Sequence, residues 1–270
     1  MKKDYIPAHN TQSVTNETEF VERYWTQIWD GHTIRDSKRA KIEKREEFKI
    51  MNQYVSKLPP KSHILDGDCG LGEWTVYWTS RGFDTVGLDI SQAVIERLKQ
   101  RFPNHRFVVG DIRNTKFESE YFDAYFSWGA FEHFEEGLGP CFREANRILK
   151  KGGYLFVSVP FQNNRHLRRD KRKLWLWDEN FDRRKGYTSQ MRFYQWRLTK
   201  PELAREFELN GFRALRVEAI AKREGLRRAL KHDLGLEPGS KVHRIAQILL
   251  YPFVPKSYVA HMIIGVGKKV

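Results

Sequence analysis

At 270 residues, with 40% apolar and 30% charged side chains, the chain has material for one substantial core and a smaller appendage. Its formal net charge of +14 is compatible with nucleic acid, an acidic substrate or an anionic membrane surface as partner, and equally with a plain basic enzyme. Two cysteines, Cys69 and Cys141, exclude a disulfide framework, and no apolar run reaches the length of a membrane span. The polar stretch after Met1-Lys2-Lys3 lacks the form of a signal peptide, so a cytoplasmic protein is the default expectation.

Residues 1–16 predict a loose polar tail. A helix is expected from Thr18 through Trp29, with Phe20, Tyr24 and Trp25 roughly on one face. It reads either as core packing or as a lid, and Trp25 and Trp29 are candidate substrate contacts. A second helix is expected from Lys38 to Leu58, carrying Ile42, Phe48, Met51, Tyr54 and Val55 and stopped by Pro59-Pro60. Residues 1–58 are thus expected to form an N-terminal helical cover, and 59–270 the main domain.

The stretch Ile64-Leu65-Asp66-Gly67-Asp68-Cys69-Gly70-Leu71-Gly72-Glu73 ends a strand in an acid, turns on glycines and enters a helix. Such a turn can hold a nucleotide-like cofactor, and many nucleotide folds share it. The next strand, Thr85–Asp89, also ends in an acid, which suits ribose hydroxyls. A helix around Val94 and Leu98 follows, then the strand 107–109 with Gly110-Asp111-Ile112 at its end. Phe122–Ser127 is the fourth strand and runs into Trp128-Gly129-Ala130-Phe131-Glu132-His133. After a helix over 142–149, Lys151-Gly152-Gly153 turns into a fifth strand, closed by Pro160. Strands alternating with helices predict a parallel sheet covered on both faces, with ligand at the strands' carboxyl ends, where Asp66, Asp89, Asp111 and Ser127 stand.

This series, over roughly residues 60–160 and again near the C-terminus, resembles the class I S-adenosylmethionine-dependent methyltransferases, in their small-molecule, type 11/12-like branch. The resemblance implies an α/β, Rossmann-like, seven-stranded and mostly parallel sheet, with the last strand antiparallel beside the sixth. It implies S-adenosyl-L-methionine as cofactor, held by the loop Asp66, Gly67, Asp68, Cys69, Gly70 and Gly72. It implies Asp89 and Ile90 at the ribose, Asp111 and Ile112 at the adenine, and Ser127 and Trp128 as cofactor contacts on the segment that lines the cofactor and faces the substrate. Asp68 departs from the family's acid-x-Gly-x-Gly-x-Gly loop, standing where its first glycine belongs. A β-carbon there strains the turn if φ is positive, and a carboxylate repels the cofactor's own, so weakened cofactor binding is expected. His133 is the best-placed titratable side chain, either as catalytic base or as a brace.

Residues 161–198 are basic and aromatic, and the family commonly places a substrate-covering insertion there. Arg165, Arg168, Tyr194 and Arg197 are candidate substrate contacts, since arginine forks suit carboxylate or phosphate. A membrane or nucleic-acid surface and a solvated loop are the alternatives. Thr199-Lys200-Pro201-Glu202 is a helix start, Phe212–Ala219 a sixth strand, 222–240 a basic stretch with a Pro238-Gly239 turn, Val242–Leu250 a short covering helix, and Tyr258–Val266 the last strand. No metal-ligand spacing is apparent. The function expected is methyl transfer to an O, N or C atom of a small, possibly anionic, acceptor. The alternatives are an RNA or other nucleic-acid methyltransferase, or a noncatalytic protein whose cofactor binding is weakened by Asp68.

Overall fold

The computed structural model describes residues 1–7, 17–30, 32, 39–171, 181–182, 186–187 and 191–270. Where a loose tail is predicted, Lys2–Pro7 is a strand, β1. The amphipathic α1 (Glu17–Asp30) follows and sends Phe20 and Val21 into the core. The single helix predicted over 38–58 is two, α2 (Arg39–Glu43) and α3 (Glu46–Val55). The break falls at Arg45, whose backbone is extended (φ −67°, ψ 144°) and whose guanidinium pairs with Glu73 across the loop.

The alternating half then runs as expected. It comprises β2 (His63–Gly67), α4 (Glu73–Ser80), β3 (Asp84–Asp89), α5 (Gln92–Arg101), β4 (Arg106–Val109), β5 (Phe122–Trp128), a single 3-10 turn (Phe131–His133), α6 (Gly139–Ile148) and β6 (Leu149–Pro160). Beyond it come α7 (Asn164–Lys171), β7 (Phe181–Asp182), β8 (Gly186–Tyr187), β9 (Met191–Arg197), α8 (Lys200–Leu209) and β10 (Phe212–Ile220). The C-terminal part contains α9 (Lys222–Leu234), α10 (Lys241–Leu250), α11 (Lys256–Val259) and β11 (Met262–Lys269). Two expectations need correcting here. The basic stretch 222–240 is largely a helix, and Tyr258 and Val259 belong to α11, so the last strand starts four residues late. Within the expected cap, 174–177 and Arg183, Arg184 and Lys185 lie outside the described residues.

The main sheet has seven strands in the order β10-β11-β6-β5-β2-β3-β4. β11 runs antiparallel to both β10 and β6, and the remaining pairs are parallel. The fold expected from the motif series is therefore the fold found. Side chains alternate between the faces: Leu65, Tyr125, Leu155 and Val157 meet α6 and α8, whereas Ile64, Ala124, Phe126 and Phe156 meet α3 and α4. The chain leaves β2 toward β3 and β4 and later returns on the other side with β5 and β6. Strand order reverses between β2 and β5, and a crevice opens at their carboxyl ends.

A separate antiparallel pair, β1 with β9, lies over that end of the molecule. Trp196 Nε1 donates to the Phe134 carbonyl at 3.0 Å, which ties β9 to the chain just after the 3-10 turn. The residues expected to be a purely helical cover thus include a strand. α3 lies against the sheet with Trp78 and Tyr77 as part of the core, leaving α1 as the covering helix.

Candidate active site

Asp66 and Gly67 end β2, and the chain turns through Asp68 (φ 71°), Gly70 (φ 50°) and Gly72 (φ 73°) into α4. Glycine takes these angles without strain, but Asp68 carries a β-carbon through one of them. The turn is stitched to the neighbouring strand. The Asp68 and Cys69 N–H groups both donate to the Leu88 carbonyl at 2.8 Å, and the Gly70 N–H donates to Asp89 Oδ2 at 2.9 Å. Gly67 is required for packing, since a β-carbon there would lie 2.4 Å from the Tyr125 ring.

Three carboxyl groups crowd this turn. Asp66 is buried and accepts from the Thr75 hydroxyl at 2.7 Å; burial raises it to about 7, against that hydrogen bond, and Asp89 adds to the rise. Asp89 is 1% exposed and also accepts from the Ser91 N–H; burial lifts it to about 6 against its backbone donors. Asp68 is half-buried, and burial followed by the charges of Asp89 and Asp66 pushes it well above the carboxylate range. A ligand bearing positive charge relieves this crowding, and each carboxylate oxygen keeps a further lone pair for it.

Beside the turn lies a cleft of about 460 Å³. Trp25 and Trp29, whose rings stack 6.0 Å apart, form one wall, and Trp74 and Trp128, 5.6 Å apart, another. Arg45 and Glu73 stand at its edge as an ion pair, with the guanidinium 5.6 Å from the Trp74 ring. A second, nearly filled hollow of about 20 Å³ continues from Asp68 past Ile90, Asp111 and Ile112 to His133. Val21 and Trp25 of α1 close it, and α1 is itself pinned. Thr26 shares a hydrogen bond with Ser91 (2.7 Å), Arg97 donates to the Trp29 carbonyl (3.2 Å), and Glu17 pairs with Arg113 (3.0 Å). Arg113 also holds the Asp111 carboxylate at 2.7 Å.

Residues 65–157 match a protein family described as a methyltransferase domain. The match runs from Leu65 in β2 to Val157 in β6 and includes the glycine turn, while Trp25, Trp29 and Arg45 of the cleft lie outside it. Over that third of the chain the sequence is similar to methyltransferase domains. Among curated relatives, it is 27% identical over 101 residues to malonyl-[acyl-carrier protein] O-methyltransferase of Salmonella typhimurium, covering 37% of this chain and 40% of that enzyme. The chain thus spans less than half the length of that relative. Among solved structures, phosphoethanolamine N-methyltransferase 2 of Haemonchus contortus in complex with S-adenosyl-L-methionine superposes with a TM-score of 0.61 at 18% identity, over 96% of this chain and 61% of that one. Geranyl diphosphate C-methyltransferase of Streptomyces coelicolor superposes with a TM-score of 0.59 at 15% identity, over 95% and 100%. Likeness at this identity shows the fold, which serves O-, N- and C-methylation alike in the three relatives.

Trp128 lines the cleft with its buried Nε1 making no hydrogen bond. Tyr125 Oη, Ser127 Oγ and Glu132 Oε2, in β5 and the turn after it, are also buried without one. A buried polar atom without a partner is costly unless a ligand satisfies it. With the glycine turn on the opposite side, the residues present fit S-adenosylmethionine; Asp68 is the one that sits awkwardly.

The residues proposed for catalysis and substrate fall differently from expectation. Trp25 and Trp29 do line the cleft. His133 lines the smaller hollow, but its ring is buried between Trp25 and Tyr194, and Nδ1 is bonded to the Tyr194 carbonyl at 2.7 Å. Burial pushes it down to about 4, against the carbonyls of Tyr194 and Gly129. The imidazole is thus held to β9 in its neutral form, with low proton affinity. Tyr194 supplies that carbonyl and packs on Tyr24. Arg165, Arg168 and Arg197 do not line the cleft. Arg165 forms a bidentate pair with Asp233, and Arg197 pairs with Asp4 at 2.8 Å. Both face a different pocket of about 270 Å³ together with His166 and Arg169. Arg168 stands over the Tyr258 ring at 5.3 Å. Arg45, Glu73 and Trp74 line the cleft without having been expected there. Only the ion pair between the two helices brings Arg45 in, and sequence has no sign of it.

Proposed function

We propose that the protein transfers a methyl group from S-adenosylmethionine to a small acceptor lodged in the tryptophan-lined cleft. The observation that carries the reading is the juxtaposition of the glycine turn, its three carboxyl groups and the open cleft at the switch point of the sheet. The bound cofactor supplies a sulfonium-activated methyl group. The turn Asp66–Gly72 holds its methionine end, with Asp66 toward positive charge and the Gly70 N–H fixed by Asp89. Asp89 and Ile90 serve the ribose, and Asp111 and Ile112 the adenine side. α1 closes over them and excludes water.

Aromatic walls favour an acceptor with a flat or apolar part, or an amine attracted to the ring faces. The one arginine at the cleft is already paired with Glu73, and the arginines that suggested an anionic acceptor lie elsewhere, which weighs against an anion. The domain's contribution is alignment and exclusion of water more than proton transfer.

The test is calorimetric titration with S-adenosylmethionine, followed by labelled methyl transfer into small-molecule and RNA fractions. Micromolar binding with label in small amines or aromatics is the expected result. Absence of binding, with Asp68→Gly no better, overturns the enzyme reading; label entering RNA alone overturns the small acceptor.

A further inference from the structure

α10 is built inside out. A helix docked by the hydrophobic effect turns its apolar residues toward its own domain. In α10 the inward side is small and largely polar: Ala246 rests on the α9 cluster beside His243 and Gln247. His243, 2% exposed, hydrogen-bonds through Nε2 with the Arg227 carbonyl at 3.1 Å, and Gln247 Nε2 donates to the Arg223 carbonyl at 2.7 Å. The outward residues are Val242, Ile245, Ile248 and Leu249, between 58% and 67% exposed. The turn that follows adds Phe253, 83% exposed. Short backbone bonds (Ser240 capping His243, Tyr251 closing on Gln247, Phe253 on Leu250) hold the shape of this segment. The helix expected to cover the sheet instead presents a contiguous apolar stripe to the outside.

The charge carried by α10 and the chain that follows it is of one sign. From residue 238 to 270 the sequence has no aspartate or glutamate. Lys241 and Arg244 on α10 and Arg223 on α9 are exposed at its border. Two copies of this face brought together would set these cations against one another, which disfavours a dimer through it. An anionic bilayer satisfies both features at once: acyl chains receive the apolar side chains, and headgroups receive the border cations.

We propose that α10 and the turn through Phe253 lie in the plane of an anionic membrane surface and hold the protein there as a peripheral protein. No helix of the described residues is long and apolar enough to cross a membrane, so the attachment is interfacial. It does not depend on methyl transfer, and it adds a membrane location to a domain whose crevice is elsewhere on the chain.

Flotation of the full chain with phosphatidylglycerol-containing vesicles and with pure phosphatidylcholine vesicles tests it, alongside the variants Ile248→Glu and Phe253→Glu. Both positions are exposed, so the variants are expected to keep the wild-type thermal melt. The wild type should float with anionic vesicles, more weakly at high salt, and each variant should lose roughly tenfold or more in affinity. Three results overturn the proposal: no flotation of the wild type, equal flotation of wild type and variants, or self-association in solution that the same variants abolish. If only the melt fails in one variant, Ile245→Gln with Leu249→Gln repeats the comparison with the same two outcomes.

Discussion

Asp68 concentrates the tension of the site in one residue. Its φ of 71° is the left-handed angle that the turn imposes, and its carboxyl stands among those of Asp66 and Asp89. Asp68→Gly should raise the unfolding free energy by about 1 kcal/mol by removing the left-handed strain, read as a shift in denaturant midpoint. The same variant should bind S-adenosylmethionine several-fold more tightly; equal affinities would show that Asp68 is harmless. Ionisation at the turn gives a second test. Asp89 and Asp66 hold their protons to about 6 and about 7, and a cationic ligand prefers them ionised. Affinity for S-adenosylmethionine should therefore rise roughly tenfold or more between about pH 5 and pH 8. A flat calorimetric profile would mean that these carboxyl groups do not face the ligand's charge.

At the scale of elements, α1 and α9 make different demands. α1 lies over the smaller hollow through Val21 and Trp25, so that hollow opens only when α1 moves. Thr26→Val removes the bond to Ser91 and should speed cofactor dissociation several-fold in stopped-flow measurements, with the melting temperature little changed. α9 packs so closely on the C-terminal segment that a β-carbon on Gly225 would fall 1.7 Å from the Val259 carbonyl oxygen. Gly225→Ala is expected to cost about 3 kcal/mol or more, since backbone must shift to admit it, although alanine is the better helix former. A variant as stable as the wild type would mean that the α9–α11 contact is loose. Sequence marked the elements around the glycine turn well, because each has a local sign: apolar strand, terminal acid, glycine, cap. The box of Thr199 and Glu202 at the start of α8 is an example that formed as read. β1 had no such sign. Its strand exists only because β9 is there to pair with it, and its partner residues are nearly two hundred positions away.

Over the whole molecule, two sets of buried groups pull stability in opposite directions with pH. His133 and His261 are pushed down to about 4, and His166 to about 3, in each case first by burial. Their contribution is present above about pH 6.5 and is lost as pH falls toward 4. Asp66, raised to about 7, contributes stability that is present near pH 4 and lost as pH rises through 7. Asp66→Asn removes this member of the second set and keeps an acceptor for Thr75. Its melting temperature should fall more steeply than the wild type's on acidification from about pH 6.5 to pH 4. Parallel melting curves would show that Asp66 does not hold its proton to about 7 in the folded protein.

The fold, and the positions of Asp66 to Gly72, Asp89, Asp111 and Ser127 at the strands' carboxyl ends, were legible in the chain because they are written in consecutive residues along a sheet of known order. The acceptor side was not legible. Arg165, Arg168 and Arg197 read as anion contacts, yet their forks are spent on Asp233, on the Tyr258 ring and on Asp4. Trp74 and Arg45 reach the cleft instead. Charge and aromaticity are properties of a residue, whereas the direction a side chain faces is decided by its neighbours in space. For the same reason α10 could be read as a helix from its periodicity, but only the packing of His243 and Gln247 against α9 decided that its apolar side points away from the protein.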